Sequence, residues 1–156
     1  MSEVHPQWHD IEASINGFLS LLSGTSKDSD GRLAKLAMAL DSLVWAYNHS
    51  SDVEPDTDDV DNPQSDYDLL AKRASEVFPE LGYYCDVDPD ESIEQKIGVG
   101  DAIDDIADIA RDLSEVLWLK QNVSENEAVW MFRFGYESHW GRHLHDLRRY
   151  LHVVMN

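Results

Sequence analysis

The side chains best placed to do chemistry are two histidines four residues apart, His139 and His143. On a helix that step puts two imidazoles on one face, where both can reach a single metal ion. The zinc-protease form of this motif needs a glutamate directly after the first histidine, and Trp140 stands there instead. Both rings are expected at the edge of an apolar stripe, where histidine ordinarily hydrogen-bonds a carboxylate. His5 and His9 repeat the spacing near the N-terminus, and spacing alone connects the two pairs.

A second set is Asp101, Asp104, Asp105, Asp108 and Asp112. All-helical nucleotide pyrophosphohydrolases hold magnesium with acids three apart, a step present in Asp101/Asp104 and Asp105/Asp108. In helical projection these aspartates fall opposite Ile103, Ile106 and Ala110, on the outer face. Arg111 stands between Asp108 and Glu115 at pairing distance, so the expectation is a solvated lattice of ion pairs. No cofactor is expected; the alternative is a divalent metal, with His139, His143, Asp101, Asp104, Asp105 and Asp108 as its candidates. Asp86, Asp88 and Asp90 alternate as in a calcium loop, but Glu91 replaces the required glycine and Ile97 the bidentate glutamate. There is no glycine-rich phosphate loop. Ser138 adjoins His139 and diverges from it, so the two cannot act as a hydrolase pair. Cys85 has no basic neighbour in sequence.

The third set gathers Trp130, Arg133, Phe134, Glu137, His139, Arg142 and His143 as a surface for a ligand or partner. Arg133 or Arg142 would clamp a carboxylate or phosphate there. Glu137 is expected near the core edge, paired with Arg133 or with an aspartate of the fourth helix. Trp130, Phe134 and Gly141 lie off the core stripe. They are expected to cover another element, a second subunit or a ligand.

Those residues must be positioned by helices. Trp8, Ile11, Ile15, Phe18 and Leu22 form one stripe, and Leu33, Leu36, Leu40, Leu43 and Tyr47 a second. A polar loop joins them into a helical hairpin. Residues 50–64 carry six acids and two prolines and read as an acidic loop. Ser65 then caps a short third helix that Pro79 stops. Residues 79–99 read as an irregular connector with a brief strand at Tyr83–Val87 and no sheet. A fourth helix runs from about Gly100 to Gln121. Ser124 and Glu127 form a capping box that starts a long last helix. Its stripe is Val129, Phe132, Tyr136, Trp140, Leu144, Leu147, Leu151 and Val154. The chain reads as one all-α domain over residues 1–156, about five helices with acidic loops and that last helix as its spine.

The stretch Trp130-Met-Phe-Arg-Phe-Gly-Tyr-Glu-Ser-His-Trp-Gly-Arg-His143 resembles the C-terminal signature of a bacterial family of unknown function. The acidic loop at Asp52 and the helix Asp104–Leu113 are similar too. The resemblance implies a small helical protein and carries no activity.

Charge bounds the partners. Twelve Lys and Arg against 31 Asp and Glu give a net −19. That field repels nucleic acid and anionic membrane and favours basic partners or metal cations. A single cysteine and the lack of a leader point to the cytoplasm. No apolar run approaches the roughly 20 residues that span a bilayer. The leading reading is a non-enzymatic interaction or regulatory protein, acting as a homodimer on a basic protein partner. The alternatives are a divalent-metal hydrolase of nucleotides or phosphates, and a module binding a small anion.

Overall fold

A computed structural model describes residues 6–24, 31–57 and 65–156. In chain order the elements are α1 Pro6–Ser23, α2 Arg32–His49, α3 Tyr67–Val77, β1 Tyr83–Asp86, β2 Gly98–Asp101, α4 Ala102–Asn122, α5 Glu125–Ser138 and α6 Trp140–Met155. The all-α bundle expected from periodicity is the fold observed. One core runs through it, joining Trp8, Ile15 and Phe18 of α1, Leu40 and Leu43 of α2, Ile106 and Leu113 of α4, and Phe132, Trp140 and Leu147. The helix α4 packs against α1, α3, α5 and α6 and shares the central place with the C-terminal pair.

Three local features differ from the sequence expectation. The C-terminal rod is two helices that meet at His139, whose φ of −147° and ψ of −78° leave the helical region. Gly141 allows this break. A β-carbon there would lie 2.1 Å from the carbonyl oxygen of Tyr136, so only bare backbone fits inside the elbow. Gly141 therefore serves an intrachain contact, not the subunit seam or ligand contact anticipated for it.

The connector also contains a sheet. β1 pairs antiparallel with β2, with Tyr83 opposite Asp101 and Asp86 opposite Gly98. Gly-Val-Gly-Asp is too short and glycine-rich to read as a strand. Gly100 is needed, because a β-carbon would strike the Tyr84 ring at 2.3 Å. The hairpin delays α4 to Ala102, and Asp101 caps it, accepting from the amide of Ile103 at 3.0 Å. In α3 the cap is Asp66, one residue beyond Ser65, accepting from the amide of Leu69 at 3.1 Å.

Finally, the near half of the acidic loop is bound to the start of α5. Glu127 is buried and accepts from the amides of Asp56 at 2.7 Å and Thr57 at 3.4 Å. Only half of the expected capping box forms: Ser124 caps α5, accepting from the amide of Glu127 at 3.0 Å, while its own amide donates to the Leu119 carbonyl instead of the Glu127 carboxylate. The remainder of that loop, residues 58–64, lies outside the described residues. Among the described residues, no helix is long and apolar enough to cross a membrane.

Candidate functional site

The aspartates of α4 are not on an outer face. Asp105 and Asp108 are 4% and 8% exposed and turn toward α6. His143 stands between them, its Nδ1 2.7 Å from Asp105 and its Nε2 3.4 Å from Asp108. His139, at the elbow, brings its Nδ1 to 2.5 Å from Asp112. The two imidazoles lie edge to face with centroids 5.0 Å apart.

Two tyrosines also hold the acidic floor. The Tyr84 hydroxyl donates to the second oxygen of Asp105, and the Tyr67 hydroxyl donates to Asp104. Arg111 Nη2 lies 2.6 Å from Asp108. One ligand atom each from Asp108, His139 and His143 lies within 4.8 Å of the others, and so do atoms of Asp104, Asp105 and His143. Above this floor opens a cleft of about 430 Å³, rimmed by the hairpin and by Arg142 and Asp146 of α6.

Charge and burial set the protonation of the cleft. The Asp105 hydrogen bond holds the His143 imidazolium above the usual histidine range; burial opposes it, and the charges of Asp105, Asp108 and Asp104 assist. Burial pushes the Asp108 carboxyl up, with Asp104 adding and His143 and Arg111 opposing. Burial, then the neighbouring Asp86 and Asp105, push Asp146 up. Burial and then the bond to Asp105 raise the Tyr84 hydroxyl, so it stays a donor at any physiological pH.

The residues anticipated from sequence divide. His139, His143, Asp101, Asp104, Asp105 and Arg142 line the cleft, with Asp108 beneath it. Arg142 lies 3.5 Å from Asp88 and 3.8 Å from Asp146, and its side chain is 64% exposed. Arg133 is elsewhere and its donors are taken. It bonds the carbonyls of Tyr47 and Ser50, both at 3.1 Å, pairs with Asp52 at 3.0 Å, and lies 4.6 Å over the Tyr47 ring. Glu137 is exposed, and among the described residues no ion pair joins it to Arg133, which pairs with Asp52; after burial, its charge helps to raise the Tyr47 hydroxyl. Trp130 and Phe134 stack in parallel at 5.0 Å; neither lines the cleft, and Phe134 borders a smaller cavity shared with Asp112 and His139. His9 is exposed on α1, and His5 lies outside the described residues.

Sequence reasoning missed Tyr84, Tyr67 and Asp112 as partners. A signal was present for the last: Asp101, Asp105, Asp108 and Asp112 step by four, three and four, the spacing of one helical stripe.

The fold and site thus define a small all-α protein with a histidine–aspartate cleft at a helix elbow. The chain belongs to the family described as Domain of unknown function (DUF5063), whose model matches residues 3–156. No curated protein matches it. Among solved structures it is similar to the crystal structure of protein BF1032 from Bacteroides fragilis, with a TM-score of 0.70 at 16% identity. That match covers 96% of this chain and 90% of the other, and it shows a common fold.

Proposed function

We propose that the cleft is a divalent-metal centre in which His139, His143 and Asp108 are the ligands. One observation carries the reading: each imidazole has its Nδ1 on a carboxylate, His139 on Asp112 and His143 on Asp105. Metal-binding histidines regularly give their second ring N–H to such a carboxylate, which fixes the tautomer and the ring's direction. In both residues Nε2 is then the nitrogen left to bind. Two imidazoles and one carboxylate suit zinc, manganese or iron(II) better than magnesium.

Three protein ligands would be the number found in catalytic rather than structural sites. A metal ion held by these residues would supply a bound water of lowered pKa. The chain orients the ligands and holds the acidic surroundings that attract the cation. The test is titration of chelator-treated protein with zinc, manganese or iron(II), followed by melting temperature and elemental analysis. One equivalent per chain and a rise of several degrees are expected, since a ligand at about 100 times its Kd stabilises by about 2.7 kcal/mol. His139→Ala with His143→Ala should remove both effects. Retention of the metal by that double variant would sink the reading.

A second reading, an interaction protein acting as a homodimer, draws support from Phe134, which is 50% exposed and stacked on Trp130. Sedimentation at rising concentration tests it. A dimer lost in Phe134→Ser is expected, and a monomer at all concentrations refutes it.

A further inference from the structure

Beside the metal cleft lies a second cavity of about 420 Å³, within the range of small-molecule sites. The two cavities share Tyr84, Asp86 and Asp146 as a common wall. Beyond that wall the outer cavity is aromatic. Tyr84 and Tyr150 stack at 5.0 Å, and Tyr83 stands 75% exposed at the rim.

Charge decides what can enter. The two cavities and the floor beneath them present Asp86, Asp101, Asp104, Asp105, Asp108 and Asp146. Against these stand Arg142, already near Asp88 and Asp146, and Arg149 on the far side. With both imidazoles neutral and a divalent ion bound, the carboxylates still outnumber the positive charge. Such a field repels a phosphate or carboxylate and concentrates cations. Tyrosine faces beside paired carboxylates are also a recognised setting for an organic ammonium, through ring quadrupole and charge together.

We propose that the outer cavity binds a protonated amine carried on a ring-sized apolar body. The ammonium sits between Asp86 and Asp146, and the body lies against Tyr83, Tyr84 and Tyr150. This deepens the metal-centre reading and rests on it for the ligand's fate, since the two cavities adjoin at Tyr84, Asp86 and Asp146. Binding of the amine itself needs no metal. Of the two arginines expected to clamp a small anion, Arg133 is engaged with α2 and Asp52, and Arg142 stands at the cleft.

The experiment uses three probes of one size: phenethylamine, 2-phenylethanol and phenyl phosphate. Each is titrated by calorimetry and by ligand-observed NMR into chelator-treated and zinc-treated protein. Phenethylamine should bind both forms, at least about tenfold tighter than the alcohol, with phenyl phosphate silent in the chelator-treated form. Asp86→Asn and Asp146→Asn should each weaken the amine about tenfold. Tyr83→Ala, at an exposed rim position, should weaken amine and alcohol alike. Equal affinity for amine and alcohol, preference for the phosphate, no amine binding, or indifference to both asparagine variants would overturn the proposal. Amine binding without any metal uptake would remove the metal centre and leave the amine pocket. Metal uptake without amine binding would do the reverse.

Discussion

Gly141 and Tyr136 meet backbone to backbone: a β-carbon on the glycine would lie 2.1 Å from the tyrosine's carbonyl oxygen. This contact lets α6 turn away from α5 at His139. His139 belongs to neither helix, so no helical face dictates its ring direction. Asp112 supplies that direction instead.

Gly141→Ala should therefore open the elbow and strain the core around Trp140. Overpacking of this kind costs about 1–3 kcal/mol. Urea unfolding should show the midpoint falling with little change in slope. A wild-type midpoint would mean the elbow accommodates a methyl group freely.

Asp112→Asn tests the support given to His139 without removing a ligand. Loss of such a partner typically lowers metal affinity 10–100-fold, and about that reduction is expected here. Asp108→Asn, at a proposed ligand, should weaken binding further. If Asp112→Asn binds zinc as tightly as wild type, the imidazole does not depend on its carboxylate.

The pH dependence of the metal-free protein follows from four raised groups. His143 is held above its ordinary 6.5 by the Asp105 bond, so its contribution is complete below 6.5 and lost as pH rises through the folded value. Asp108, Glu115 and Asp146 are raised chiefly by burial, so ionising them also weighs against the fold as pH climbs. All four make the native state bind more protons than the unfolded chain. The melting temperature should fall by a few degrees between about pH 5.5 and 8. Saturating zinc should flatten the profile, because its ligands bind deprotonated. A melting temperature that rises over this range would contradict the assignment.

Glu127→Ala should release the chain at Asp56 and Thr57, whose amides the carboxylate accepts. Leaving such groups unsatisfied costs about 1–3 kcal/mol where they stay buried. Hydrogen exchange should quicken across residues 52–57 and not in α1. Uniform exchange in the two proteins would show that the segment is held by other bonds, such as that from Asn126 to Asp56 at 3.0 Å.

The bundle was legible because its core follows a 3.6-residue period. Ile11, Ile15, Leu40, Leu43, Leu144 and Leu147 are buried where that period puts them. The buried acids were not legible, because amphipathicity sends charge outward unless a partner is known. The partners of Asp105 come from Tyr84 and His143, 21 and 38 residues away. Arg133 misled for the same reason: its bonding groups lie on the end of α2, more than 80 residues back in the chain. Gly141 did mark something. Its meaning needed the turn at His139, where neither proline nor glycine announces a break.

The hairpin has a consequence for how the fold diversifies. Its strands are four residues each, and the stretch between them is open enough that Ile93 and Ile97 are 103% and 68% exposed. Insertions or deletions there reshape the mouth of the cleft while the helices beneath keep their register. Selection can thus retune what enters without rebuilding the histidine–aspartate floor.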